Sequence, residues 1–224
     1  MKNKSYDTRR RTTLLALIGS GVSLSVLLRN ALAQNPAGTQ SLQRIGGEVR
    51  INGNVAGIGA VIRGGDSVAT GPGGFAVLVV GQDAFLLRDN TRVEFAGSER
   101  LLDAVRLITG KLLGVFATGG DRRLQTPTAN IGIRGTGAYL EAEPERTYFC
   151  LCYGSADVAA ANSTERDSYT TTHHESPRYI YGDGRANSIV PASVNNHTDA
   201  ELIMLEALVG RSPPLGFMEA PNRY

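Results

Sequence analysis

The sequence has little of the material that disulfide-stabilised and cofactor-rich proteins use. It contains no tryptophan, two cysteines and three histidines among 224 residues. Two cysteines are too few for a disulfide-stapled miniprotein or a cysteine-rich zinc module. Charged residues make up 20% of the chain and apolar residues 42%, which excludes intrinsic disorder and allows a packed core. A chain of this length forms one domain of ordinary size or two small ones.

Signatures of the common enzyme classes are also missing. After residue 33 the sequence contains no Gly-x-Ser-x-Gly, no Walker loop and no His-Glu-x-x-His. The glycines of residues 132–137 are in the wrong order for a dinucleotide fingerprint. Three histidines leave little material for acid–base chemistry. We therefore expect that the protein is not an enzyme.

Residues 1–33 are typical of an export signal. A basic start precedes an apolar run from Leu14 to Leu28, and residues 31–33 form a small-x-small cleavage site. The run is shorter than the roughly 20 residues of a membrane-spanning helix, so a cleaved signal is favoured over the alternative, an uncleaved N-terminal anchor. We expect a periplasmic protein with no transmembrane segment in the mature chain.

The basic part of this signal resembles a twin-arginine motif, which directs folded proteins to export. If Arg10 and Arg11 are the pair, Leu14 stands where the motif has leucine, and Thr13 replaces the usual phenylalanine. An ordinary secretory signal is the alternative. Because cofactor-loaded proteins are common cargo of folded export, the motif favours a bound cofactor.

Removal of the signal changes the sign of the charge. The precursor is formally +2, but the mature chain keeps 17 of the 23 basic and 20 of the 21 acidic residues, a net charge of −3. No basic surplus is left to neutralise phosphates, so nucleic acid is excluded as a partner.

Short apolar runs separated by turn residues follow from residue 45. Most runs have four to eight residues and several alternate in polarity, which indicates β-strands. Proline and glycine at 71–74 interrupt one run, since proline fixes φ and glycine permits positive φ. The pattern predicts an all-β domain, either a rolled sandwich or a solenoid-like stack of short strands. The runs are 48–51, 60–62, 75–80, 84–87, 91–95, 104–109, 111–116, 129–133, 138–142 and 146–153.

One C-terminal α-helix is also predicted. Thr198 and Glu201 have the spacing of a capping box. Leu202, Leu205 and Leu208 then fall on one face, and a proline pair ends the helix. We expect this face to pack on the β domain; a partner-binding helix is the alternative.

These patterns divide the chain into four segments. They are an export signal peptide at 1–33, a flexible lead-in at 34–44, the all-β domain at 45–190, and the capped helix with its tail at 191–224. The lead-in contains proline and glycine and has no periodic apolar face.

Three segments of the β domain carry a family resemblance. Residues 62–71 contain a Gly-Asp and then a Thr-Gly step, residues 75–88 form an apolar strand pair, and residues 125–136 contain Thr-Pro followed by Arg-Gly-Thr. In this order they resemble the FecR-type periplasmic domain, named for the ferric-citrate regulator. The resemblance implies a module for sensing, scaffolding or binding rather than catalysis. In regulators of the family, a cytoplasmic anti-sigma segment and a membrane helix precede this domain. Here only a short basic stretch precedes the apolar run, so we expect a free-standing exported form of the domain.

The sharpest chemical feature is the Cys150-Leu151-Cys152 triplet. Residues i and i+2 of a strand face the same side, so both sulfurs are expected on one face. If the chain returns antiparallel to this strand, His173 or His174 comes to lie beside the two sulfurs. Both histidines can do so only if the returning strand ends there, because consecutive residues of a strand face opposite sides. The sequence therefore predicts a metal or redox site of Cys150, Cys152, His173 and His174, suited to zinc or copper.

Three alternatives to a metal site stay open. In the first, the cysteines are small buried hydrophobic residues. In the second, they form a disulfide with each other, although residues i and i+2 of a strand are near the limit of bridgeable Cα separation. In the third, the histidines belong to a polar loop at 170–176.

Asp66, Arg88 and Arg134 lie in the family-like segments. They are candidate ligand-binding residues; the alternative is that they cap glycine turns or form ion pairs at strand ends.

The leading expectation for function is a non-catalytic sensing or binding module with an envelope protein or a small ligand as partner. A metal-binding or redox protein and a structural envelope scaffold are the alternatives.

Overall fold

Strands make up most of the chain in the computed structural model, which describes residues 40–98 and 102–219. The predicted export signal lies outside the described residues. The described residues form fourteen strands and two helices: β1 (Leu42–Gly46), β2 (Val49–Ile51), β3 (Asn54–Val55), β4 (Ser67–Thr70), β5 (Phe75–Val80), β6 (Asp83–Leu87), β7 (Arg92–Gly97), β8 (Leu102–Val115), β9 (Asp121–Gln125), β10 (Ala129–Ala142), β11 (Arg146–Ala160), β12 (Arg166–Thr171), β13 (Arg178–Tyr181), β14 (Ile189–Pro191), α1 (Asp199–Leu208) and α2 (Leu215–Glu219). The all-β prediction is confirmed.

The strands form one sheet. Its main path has the order β14-β13-β11-β10-β9-β8-β7-β4-β2-β3, while β1, β5 and β6 continue from β8, and β12 pairs with β11. The long strand β8 bends between partners: its first part pairs with β7 and β9, and its last part with β10 and β6. The β8–β9 pairing is parallel, and the other pairings among the described strands are antiparallel.

Two buried apolar clusters lie on opposite faces of the central strands. The main core contains Leu78, Leu140 and Leu151 together with residues from most of the other strands. The helix-side core contains Val79 and Tyr139 and lies under the two helices. Because most of β5, most of β6 and the first half of β11 are buried on both faces, residues 76–80, 84–87 and 148–153 are continuous apolar runs with no polarity alternation.

The predicted C-terminal helix is present as α1. Thr198 is its N-cap, and the reciprocal bonds between Thr198 and Glu201 form the expected capping box. Leu202, Leu205 and Leu208 are buried in the helix-side core, and α1 packs against β6 and β8. The short helix α2 follows.

Two boundaries differ from the prediction. Leu42 is fully buried and pairs with Leu78, so strand β1 begins inside the predicted lead-in at 34–44. Apolar burial of this one residue outweighs the polar composition around it. At the other end, β14 crosses the predicted domain boundary at 190–191. In the part of the chain that the structure describes, no helix combines the length and apolarity needed to cross a membrane.

Candidate metal centre

Cys150 and Cys152 lie side by side on one face of β11. Both side chains are fully buried in the helix-side core, while Leu151 between them points into the main core. The predicted placement of both sulfurs on one face is therefore confirmed. Both residues are free thiols.

A gap in the β-ladder lies beside the two cysteines. One edge of β11 pairs with β10, with register shifts between Arg134 and Ala138, and Cys150 lies opposite Tyr139. On the other edge, β13 pairs only as far as Phe149 and β12 only from Gly154 onward. The chain after β12 fills the gap: the His174 N–H donates to the Cys152 carbonyl at 3.0 Å. This backbone bond places His174 next to the thiols.

The turn that carries His174 is held by a carboxylate. One oxygen of Glu175 accepts the backbone N–H groups of Thr172 (2.7 Å) and His173 (2.9 Å). His174 has a φ of 56°, a left-handed conformation that non-glycine residues seldom adopt. In this conformation its Nδ1 lies 3.5 Å from the Cys150 sulfur.

His197 completes the cluster from the loop before α1. Its Nε2 lies 3.0 Å from His174 Nδ1, and its ring stacks on Tyr139 with centroids 4.6 Å apart. The site predicted from the sequence did not include His197. Only its position directly before the capping residue Thr198 ties it to α1, and no spacing signal relates it to the cysteines.

Four ligand atoms converge at this point. The sulfurs of Cys150 and Cys152 and one ring nitrogen each of His174 and His197 all lie within 4.8 Å of one another. A tetrahedral zinc ion with two sulfur and two nitrogen ligands separates its ligand atoms by about 3.3–3.8 Å, given the usual bond lengths. Two of the separations, 3.0 Å between the nitrogens and 3.5 Å from His174 Nδ1 to the Cys150 sulfur, differ from this range by a few tenths of an ångström at most. The donor set suits zinc, and these two separations are near those that a zinc ion requires.

The outer nitrogen of each histidine has an acceptor. His197 Nδ1 lies 2.6 Å from the carbonyl oxygen of Asn195 and so carries the proton, because a carbonyl only accepts. His174 Nε2 lies 3.2 Å from a carboxylate oxygen of Asp199. On the inner side, His174 Nδ1 and His197 Nε2 face each other at 3.0 Å, next to the Cys150 sulfur. Carboxylate and carbonyl partners of this kind are typical of metal-bound histidines.

His173 lies on the other side of Asp199. Its Nε2 is 3.0 Å from the second carboxylate oxygen of Asp199, and the atoms of His173, His174 and Asp199 form another group within 4.8 Å. The structure therefore places one of the two predicted histidines beside the thiols and the other beside the carboxylate. Strand β12 ends at Thr171, before both histidines. The rings of His173 and His174 are nevertheless nearly perpendicular, with an interplanar angle of 83°.

The pKa values of the two thiols are shifted in opposite directions. Burial alone would raise the pKa of Cys150, but hydrogen bonds from Cys152, His174 and His197 lower this pKa well below the usual value. Burial raises the pKa of Cys152, and the neighbouring Cys150 thiolate raises it further. One thiolate is thus favoured in the folded chain, and thiolate is the form that binds metal.

The site is closed to solvent. Both cysteines have zero exposure and the histidine side chains are buried. Phe217 of α2 packs on the rings of His173 and His174, with centroids 4.7 and 5.6 Å apart. Four buried donor side chains with no open side would suit a structural rather than a catalytic zinc site.

The three predicted ligand-binding residues lie apart from this cluster. Asp66 accepts from Asn52 and from the Arg63 backbone in a turn. Arg134 is an exposed bridge between two aspartates of β9 and β11. Arg88 donates to the Asn196 carbonyl (2.7 Å) and to Glu201 (2.9 Å), and lines a groove of about 400 Å³. Of the three, Arg88 contacts the segment that carries His197.

Comparison with known proteins adds a structural likeness. No family model matches the chain, and no curated protein matches it either. Two solved structures, at 1.65 and 2.50 Å resolution, of a candidate anti-sigma factor from Parabacteroides distasonis are similar, with a TM-score of 0.47 and 12% identity. The similarity covers 57% of this chain and 59% of that one. The function proposed below therefore rests on the residues of the site.

Proposed function

We propose that this protein is a non-catalytic metal-binding module of the cell envelope. Its site consists of Cys150, Cys152, His174 and His197. The observation that supports it most directly is the convergence of two buried thiol sulfurs and two buried imidazole nitrogens within 4.8 Å of one another. One metal ion could bind both nitrogens and both sulfurs together.

When both thiols are deprotonated, charge balance favours Zn²⁺ over Cu⁺. Two thiolates carry two negative charges, which Zn²⁺ neutralises. Cu⁺ would leave one uncompensated charge in a fully buried site, next to the carboxylate of Asp199, and buried uncompensated charge is costly. Cys₂His₂ is also a standard ligand set of structural zinc. We therefore propose Zn²⁺ as the ion.

Sensing of a small ligand is the second candidate function, as the FecR-type resemblance implies. The groove beside α1 favours it, because apolar side chains such as Phe75 and Met204 line it together with charged groups of both signs, including Arg44 and Asp89. Such a groove suits a small amphipathic ligand. A structural scaffold role has no comparable feature among the described residues.

Metal analysis of the full mature protein tests the proposal. We expect about one equivalent of Zn²⁺, by elemental analysis and by titration of the metal-free protein, because the four ligands form one tetrahedral site. Cys150→Ser and His197→Gln should abolish stoichiometric binding. The control Asp157→Asn, which changes an exposed ion-paired aspartate on the same strand, should bind normally. Absence of Zn²⁺ binding by the folded wild type would overturn the proposal.

A further inference from the structure

We infer that the metal fastens the C-terminal segment, defined as residues 192–219, to the β-sheet, and that metal loss releases this segment while the sheet stays folded. The inference rests on the proposed function and goes beyond it, because it assigns the ion a mechanical role. Asp199 is the positioning residue that connects the ion to α1.

The four ligands belong to different parts of the chain. Cys150 and Cys152 lie in the middle of β11, which pairs with β10 along almost its whole length. His174 is bonded to β11 through the Cys152 carbonyl. His197 comes from the C-terminal segment. One ion bound by all four side chains therefore cross-links the segment to the interior of the sheet.

Asp199 makes a second connection at the same point. It is the first residue of α1, and its carboxylate lies 3.2 Å from Nε2 of the ligand His174 and 3.0 Å from Nε2 of His173. Bonds of this kind orient a metal-bound imidazole and raise its affinity for the ion. The start of α1 is thus attached to the metal through one imidazole ring.

The sheet does not depend on the C-terminal segment for its main core. Among the described residues, the main core draws no member from 192–219, while Leu202, Leu205 and Phe217 of the segment belong to the helix-side core. A segment that packs on one outer face of a complete sheet can open as a local unit. Loss of the ion would remove the link between this segment and β11.

The size of the effect follows from mass action. If Zn²⁺ binds only when the segment is closed, the closed-to-open ratio increases by a factor of one plus the ratio of free Zn²⁺ to its dissociation constant. At free Zn²⁺ about 100 times the dissociation constant, opening is suppressed about 100-fold.

Hydrogen exchange of the full mature chain, followed by mass spectrometry, tests the inference. Protein saturated with Zn²⁺ is compared with protein in excess chelator. We expect removal of Zn²⁺ to accelerate amide exchange in α1 by about 100-fold at the concentrations above, and exchange in β5 and β6 to change little. Equal acceleration in sheet and helix would overturn the inference, because it would make the ion a global stabiliser.

Asp199→Asn separates the positioning role from simple packing. The variant keeps all four ligands, so it should still bind Zn²⁺, with affinity lowered about 10- to 100-fold, and zinc-dependent protection of α1 should fall correspondingly. Asp157→Asn is the matched control and should behave as wild type. Unchanged zinc affinity in Asp199→Asn would remove Asp199 from the mechanism. If wild type binds Zn²⁺ but α1 exchange is unaffected, the inference fails and the proposed function stands; if titration shows no binding, both fail.

Discussion

His174 Nδ1 and His197 Nε2 lie 3.0 Å apart, although the two residues are separated by 23 positions in the chain. The first comes from a turn that fills a gap beside β11, and the second from the loop that leads into α1. Each ring is oriented by an acceptor on its far side, Asp199 for one and the Asn195 carbonyl for the other. The fold therefore brings together two imidazole nitrogens and two thiols, which a single cation could bind.

The two neighbouring histidines should have unequal effects on metal binding when replaced. His174→Gln removes a ligand atom and should weaken Zn²⁺ binding more than the roughly 10- to 100-fold typical of an outer partner. His173→Gln removes a bond to Asp199 and should fall within that range. Competition with a chromogenic chelator measures both affinities. An equal loss in the two variants, or a larger loss for His173→Gln, would contradict the assignment of ligands.

A buried ion pair at the start of β6 gives a prediction about stability. Arg122 Nε lies 3.0 Å from Asp83, both side chains are almost completely buried, and Asp83 also accepts the Ala117 N–H at 2.7 Å. Arg122→Met leaves a buried carboxylate without its cation and should lower the free energy of unfolding by about 3–5 kcal/mol. The double variant Asp83→Asn, Arg122→Met removes the charge but keeps an acceptor for Ala117.

Urea unfolding distinguishes these two variants. We expect the double variant to be more stable than Arg122→Met alone by at least about 1 kcal/mol, because no unpaired charge stays buried. A double variant that is no more stable than the single one would show that the cost of Arg122→Met comes from lost packing.

The same pair predicts a pH effect. Burial raises the pKa of Asp83, and this outweighs the Ala117 N–H and Arg122, which lower it. A folded-state pKa above the unfolded value of about 3.9 means that the contribution of Asp83 to stability is complete below that pH and is lost as pH rises through the folded pKa. Wild type should therefore lose stability relative to the double variant as pH rises from about 4. Urea midpoints measured at increasing pH test the sign; a gap that moves the other way would contradict it.

Features that depend only on local periodicity could be predicted from the sequence. The capping box at Thr198 and the common face of Cys150 and Cys152 need only the geometry of one helix or one strand, and both are confirmed. His197 could not be assigned to the site, because its distance to His174 depends on where α1 packs. The separate placement of His173 depends on the left-handed backbone at His174, which has no sequence signature.

Strand length was underestimated for a related reason. The apolar runs 104–109 and 111–116 are parts of one strand, β8, and 146–153 is the first half of β11. Glycine marked the ends of these runs in the sequence, since it usually indicates turns. In the structure, Gly110 and Gly154 have positive φ inside continuous strands, so they bend the sheet without interrupting it.

Gly154 should consequently tolerate substitution poorly, and a matched glycine separates the reasons. Gly154 has a φ of 99°, and a Cβ there would lie 2.5 Å from Thr136 Cγ2 and 2.9 Å from the Gly135 carbonyl oxygen. Gly65 has nearly the same φ, 97°, but open space around a Cβ. Gly65→Ala should cost about 1–2 kcal/mol from backbone conformation alone. Gly154→Ala should cost roughly 1–3 kcal/mol more, because the extra methyl group overlaps backbone that cannot move without disturbing the β10–β11 ladder. Urea unfolding of the two variants measures the difference; equal losses would mean that the bend at Gly154 has room to adjust.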